Sequence, residues 1–184
     1  ARTLGLDHPE TLASRHSLAG AYRDAGRLEE AIPLFEQNLT DFIRILGPDR
    51  PDTFTSRSTL AGAYRDAGRL DEAITLFAQT LEDRTRTLGP AHPGTLTSRN
   101  NLAGAYQAAG RLNEAITLHR QTLKDCSRTL GPHHPHTLTS RTNLAEAYRT
   151  AGRFEDAEKL FETPSGSEDE QDGTEDNPDQ ETSD

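Results

Sequence analysis

Residues 60–74 read Leu-Ala-Gly-Ala-Tyr-Arg-Asp-Ala-Gly-Arg-Leu-Asp-Glu-Ala-Ile, and the stretch returns with few changes at 18–32, 102–116 and 144–158. Tyr22, Tyr64, Tyr106 and Tyr148 are spaced 42 residues apart, and Gly26, Gly68, Gly110 and Gly152 keep the same step, as do Ala31, Ala73, Ala115 and Ala157. Residues 50–91 match 92–133 at 28 of 42 positions with no insertion. A fixed period of this length marks stacked supersecondary units. Four units, about 8–49, 50–91, 92–133 and 134–163, make residues 1–163 a repeat domain.

Each unit reads as two helices. In the second unit the first helix runs from Pro51 to about Ala67, with Leu60, Ala61 and Tyr64 on one face of a 3.6-residue period. Pro51 suits a first helical turn, where its missing N–H has no partner to lose. Gly68 supplies the positive φ that closes the helix. The second helix starts at Leu70, carries Ala73, Ile74, Phe77, Leu81 and Leu88 as a buried stripe, and stops at Gly89–Pro90. No segment alternates like a half-buried strand, so the fold class is all-α. Identical pairs stacked side by side share one continuous core, and small residues such as Ala61, Ala63 and Ala73 let the helices approach closely. Pro33 lies early in its helix and implies a mild local adjustment.

Breaks in the pattern carry separate information. His119 interrupts a ladder of Phe35, Phe77 and Phe161. It reads either as a partly exposed or neutral, satisfied histidine or as a notch for a ligand. At the C-terminal end Glu158 replaces Ile32, Ile74 and Ile116, and Thr163–Pro164 cuts the helix short, as a solenoid cap should be. At the other end Arg2–Gly5 repeats Arg86–Gly89 and Arg128–Gly131, so the chain is expected to begin inside a repeat of a longer protein.

Composition narrows the classes. The 184 residues carry 30 acids and 20 bases, and nine of the acids fall in residues 164–184, which leaves 21 acids against 20 bases in 1–163. A nearly neutral repeat domain lacks the positive excess of a nucleic-acid binder. No stretch has the length and apolarity of a membrane span, and no signal peptide opens the chain. The single cysteine, Cys126, builds no disulfide framework and favours a cytoplasmic location. Residues 164–184 have no apolar side chain beyond proline and are expected to form a disordered acidic tail, either solubilising or an internal ligand for an arginine-bearing groove.

Leu60–Ile74 resembles the tetratricopeptide repeat, with Leu60, Ala61, Tyr64, Gly68, Ala73 and Phe77 at its signature positions. The 42-residue period, Leu46–Thr53 (L-G-P-D-R-P-D-T), Asn100–Ala103 and Glu30–Leu34 are similar to kinesin-light-chain-type repeats, which are also common in bacterial proteins. The resemblance implies a right-handed superhelical solenoid of antiparallel helix pairs, whose first helices line a concave groove for an extended peptide. The groove positions it implies are Ala13, Thr55, Thr97 and Thr139; His16, Ser58, Asn100 and Thr142; Ser17, Thr59, Asn101 and Asn143; and Arg23, Arg65, Gln107 and Arg149. Asparagine amides both donate to and accept from a peptide backbone, and arginines grip carboxylates through paired hydrogen bonds. Gly20, Gly62 and Gly104 add room on that face, where the fourth unit has Glu146.

The chain also departs from the resemblance. Arg15, Arg57, Arg99 and Arg141 stand where related repeats carry Trp or Leu, and read either as stems covering apolar surface with heads in water or as a row reaching the groove. The lysine-rich clamp of chaperone-binding members is absent, against recognition of chaperone C-termini.

No phosphate-binding glycine loop and no catalytic set stands apart from the repeat, so no enzyme and no cofactor is expected. His133, His134 and His136 are the densest candidates for a metal, but His8, His92 and His134 share a repeated His-Pro turn, so no metal is expected either. The leading reading is an interaction module for a protein or peptide segment, with Asn100, Asn101 and Asn143 on the backbone and Arg23, Arg65 and Arg149 on acidic groups. The bound segment could belong to the same parent chain, which makes the alternative a sensor arm of a signalling ATPase. The third reading is a spacer that self-associates through the N-terminal edge, Leu4, Leu6 and Leu12.

Overall fold

The computed structural model describes residue 5 and residues 8–161. The N-terminal Leu4 and Leu6, and the acidic residues 164–184, lie outside these. Eight helices follow one another: α1 (Pro9–Asp24), α2 (Leu28–Leu46), α3 (Pro51–Asp66), α4 (Leu70–Leu88), α5 (Pro93–Ala108), α6 (Leu112–Leu130), α7 (Pro135–Thr150) and α8 (Phe154–Lys159). Each packs on the next in the chain, and α3 also touches α5, so first helices line up beside one another. That is a solenoid of antiparallel pairs, all helical among the described residues.

Local chemistry accounts for each boundary. A proline opens every first helix. Ahead of it, the imidazole Nδ1 of His8, His92 and His134 accepts from the backbone N–H two residues on, at 3.2, 3.0 and 3.2 Å. The repeated His-Pro turn is therefore a helix cap. Every first helix closes through a glycine in the left-handed region, such as Gly68 at φ 75°. The Arg69 N–H then bonds back to the Tyr64 carbonyl at 2.8 Å, a Schellman closure. This turn lays Arg69 over the Tyr64 ring at 4.1 Å, and Arg27, Arg111 and Arg153 repeat the stack on Tyr22, Tyr106 and Tyr148. In the loops between units, the buried Thr53, Thr95 and Thr137 donate to the carbonyls of Gly47, Gly89 and Gly131 at 2.8, 2.8 and 2.7 Å. Helix α2 runs through Pro33 without interruption.

The core lies between consecutive helices. Ala19, Ala61, Ala103 and Ala145 have no exposed surface, nor do Ala31, Ala73, Ala115 and Ala157. Phe35 packs with Leu60 and Ala63 of the next unit, and Phe77 with Leu102 and Ala105. Helices α2 and α4 thus bury their phenylalanines against the first helix that follows.

Three of the four arginines in the row follow neither of its two sequence readings, while the half-buried Arg141 forms no ion pair among the described residues. Arg15, Arg57 and Arg99 turn inward and pair with Asp41, Asp83 and Asp125 of the same unit's second helix, at 2.5, 2.6 and 2.7 Å. Their heads reach neither water nor groove, because a carboxylate 26 residues on sits beneath each of them. Burial alone would raise Asp83, but hydrogen bonds from Arg57 and Arg86 hold its carboxyl below the usual range. Arg15, opposed by burial and helped by Arg44, does the same for Asp41.

His119 is 4% exposed and takes the place of Phe35 and Phe77, so it is a core residue and opens no notch. Burial pushes its imidazole below the ordinary range, partly offset by Glu146. Protonation then costs more in the folded than in the unfolded chain, so stability falls as pH drops from about 6.5 toward the lower folded value. His119→Phe should remove that slope and add on the order of 1 kcal/mol. Urea titrations at pH 7.5 and 5.5 check this, and an unchanged slope in the variant would contradict it.

The C-terminal helix ends at Lys159, sooner than the Thr163–Pro164 break suggests. Glu158 is exposed where the earlier units bury isoleucine, but Phe154 and Phe161 are also 63% and 51% exposed. Among the described residues no further unit covers them. Leu12, expected on an open edge, is 4% exposed, since it turns into its own unit, where Asn38 Nδ2 donates to its carbonyl at 3.2 Å.

Candidate peptide-binding groove

First helices α1, α3 and α5 present their neighbouring faces to a common cavity of about 410 Å³. Arg23, Ser58, Thr59, Arg65, Thr97 and Asn101 line it, which brings six of the eleven candidate residues together. They meet because positions 13, 16, 17 and 23 of one helix stand beside the same positions of the next, one 42-residue step away.

Hydrogen bonding divides these side chains into spent and available groups. Thr55, Thr97 and Thr139 each donate to a carbonyl four residues back, at 3.0 Å, and Thr59 does likewise to Thr55. Their hydroxyl oxygens remain as acceptors. Asn143 Nδ2 donates to Asn100 Oδ1 at 3.2 Å, so these two amides brace one another across neighbouring units. Arg23 and Arg65 flank one carboxylate, Asp66, at 3.9 and 3.2 Å. Both are about one-third exposed or more, and Arg23 also meets the exposed Asp24 at 3.8 Å, so the two guanidinium groups share two carboxylates. The Ser58 hydroxyl is buried with no hydrogen-bond partner.

The remaining candidates sit farther along the array. Gln107 is half-buried and Arg149 exposed, and neither borders this cavity, nor does Thr139. Gly62 does, although a methyl group there would lie an ordinary 3.9 Å from Arg23 Nη1.

Sequence reasoning missed one groove residue. Arg84 comes from the second helix α4 and borders the cavity beside Arg23 and Arg65. It occupies a position that varies between units as Phe42, Arg84 and Cys126, and that variation was its only signal. Among the described residues no group of histidine, cysteine and carboxylate side chains could hold a metal, and no helix is long and apolar enough to cross a membrane.

The family profile of the tetratricopeptide repeat matches residues 10–82, 52–124 and 100–163, together spanning both helices of every unit. The chain belongs to the tetratricopeptide repeat family. This tetratricopeptide repeat protein is similar to the crystal structure of a Podosopora anserina protein with nearly identical TPR-like repeats, assigned as a kinesin light chain. The two share 38% identity over 86% of this chain and 75% of the other, with a TM-score of 0.77. A single-substitution form of that protein gives 37% identity over 86% and 74% of the two chains, at the same TM-score. BtubC (BKLC) from P. vanneervenii shares the fold at 20% identity and a TM-score of 0.69, over 88% of this chain and 63% of its own. No curated protein matches the chain. Tetratricopeptide repeats generally mediate protein–protein interaction, and such scaffolds are typically non-enzymatic.

Proposed function

We propose that the protein holds an extended peptide or protein segment in the concave groove of its first helices, without catalysing a reaction on it. The observation that carries this reading is the shared cavity of α1, α3 and α5, where arginines, hydroxyls and the Asn101 amide meet on rigid helices. Asn101 can donate to and accept from a backbone amide, and the Asn143–Asn100 pair offers its remaining amide groups farther along. Arg23, Arg65 and Arg149 provide positive charge at three points. A groove already formed orders few groups on binding, which favours affinity.

A peptide-display selection on the full chain tests this, run beside an Asn101→Ala, Asn143→Ala variant. Peptides should be enriched on the parent protein and lost, by tenfold or more, on the folded variant. Enrichment that survives in the variant would move the site off the groove.

One observation favours a second reading, self-association of stacked copies. Leu18 is 48% exposed, whereas the equivalent Leu60, Leu102 and Leu144 are buried, and Phe161 is bare at the other end. Arg23 faces Asp66 across a unit junction, and the same step between copies sets Arg149 opposite Asp24. Mass that rises with concentration, and stops rising in Leu18→Asp, would support it.

A further inference from the structure

We infer that Arg84 forms a carboxylate-binding site in the wall of the groove between the second and third units. The inference rests on the groove reading above, because the carboxylate is taken to belong to the bound segment.

The site begins with a break in the repeat. Along the second helices the position holds Phe42, Arg84 and Cys126, and opposite it the next first helix holds Ser56, Ser98 and Ser140. In the third unit the junction closes on itself, with Cys126 Sγ 3.6 Å from Ser140 Oγ. At the first junction Phe42 offers no polar group, and the buried Ser56 hydroxyl has no hydrogen-bond partner. Only at the middle junction does a charge enter. Arg84 Nη1 donates to Ser98 Oγ and to the Gly94 carbonyl, both at 3.0 Å. The guanidinium also lies 5.7 Å from the centre of the Phe54 ring.

Two neutral acceptors and a ring face anchor the guanidinium but do not balance its charge. Arg84 forms no ion pair among the described residues, unlike Arg15, Arg57 and Arg99, which each face an aspartate. Its Nε and Nη2 donors have no acceptor among the described residues. Burial without a counter-charge also pushes its pKa down, a cost that an arriving anion removes. Around it the cavity wall carries Arg23, Arg65, Asn101 and the unpartnered Ser58 hydroxyl, and no aspartate or glutamate.

A fork of free N–H groups in a half-buried, acid-free wall matches a planar carboxylate, which accepts two parallel hydrogen bonds. Because Arg84 is fixed by Ser98 and Gly94, it would set the register of the bound segment by holding one acidic group at one place. Asp66, shared by Arg23 and Arg65 at the rim, leaves Arg84 as the uncompensated member of the three.

Small probes on the full chain test the site without any peptide. N-acetylglutamate amide carries a side-chain carboxylate only, N-acetylalanine a terminal carboxylate only, and N-acetylglutamine amide neither. The Arg84 Nε–H resonance is assigned by its loss in Arg84→Gln. A saturable shift with either carboxylate probe and none with the neutral one supports the site, and the stronger probe identifies the source. Followed on the side-chain amide of Asn101 in the same cavity, Arg84→Gln should weaken that binding about tenfold or more. Arg84→Cys serves as a second variant, since it copies the Cys126–Ser140 junction already present in the fold. No Arg84 shift with either carboxylate, or an equal shift with the neutral probe, overturns the inference. If the probes bind Arg84 while peptide selection fails, the groove reading falls and the carboxylate site stands.

Discussion

Arg99→Ala and Asp125→Ala should each lower the free energy of unfolding by about 3–5 kcal/mol, as expected when one partner of a buried ion pair is removed. The two side chains are 9% and 11% exposed, their contact is 2.7 Å, and Gln121 also donates to Asp125 at 3.0 Å. Either truncation leaves a charge buried without its counter-charge. The double variant Arg99→Met, Asp125→Leu removes both charges and fills the space, so it should lose much less than either single change. The exposed pair Arg27–Glu30 is the control, and Arg27→Ala should cost far less than either buried truncation. Urea titrations at an unchanged denaturant slope give these values. A double variant as unstable as the singles would show that the pair contributes in its own right.

Phe77→Ala should cost about 3–5 kcal/mol, through lost burial and the cavity left between the second and third units. The ring is 2% exposed and packs with Leu102 and Ala105 of the next unit. In a linear array each unit is held by its neighbours alone, so a weakened junction also uncouples the two halves. Amide exchange should then quicken in α5 to α8 separately from α1 to α3. Phe161→Ala provides the contrast. The same residue type in the same repeat position is 51% exposed there, and its loss should scarcely change stability in dilute solution. Equal costs at the two positions would contradict the neighbour-only account of the core.

Much of the architecture was legible because proline and glycine punctuate it. The expected start at Pro51, turn at Gly68, restart at Leu70 and stop at Gly89 agree with α3 and α4 to within a residue. Those signals act locally, through a fixed φ or a positive one, and need no knowledge of tertiary neighbours. The arginine row was illegible for the opposite reason. Arg57 and Asp83 lie 26 residues apart on different helices, and only the crossing of α3 and α4 brings them together. The Arg69–Tyr64 stack has a spacing of five, which belongs to no helix face and arises from the Gly68 turn. His119 looked ambiguous because a histidine tolerates both water and core; its position in the Phe35–Phe77 ladder proved the better guide.

The candidate groove divides in the same way. Arg23, Ser58, Thr59, Arg65, Thr97 and Asn101 converge as their repeat positions suggest. What alignment by position does not convey is which groups are already engaged. The threonine hydroxyls bond their own helices, Asn143 bonds Asn100, and Asp66 occupies two arginines. Arg84 reaches the groove from an outer helix, at a position whose identity changes from unit to unit, and repeat logic assigns such a position no role.

Amide hydrogen exchange of the full chain, with and without a peptide taken from the display selection, tests the groove most directly. Binding should slow exchange in α3 and α5, near Ser58, Thr59 and Asn101, and leave the outer faces of α4 and α6 unchanged. Protection confined to the bare ends around Leu18 and Phe161 would contradict the groove and favour association between copies.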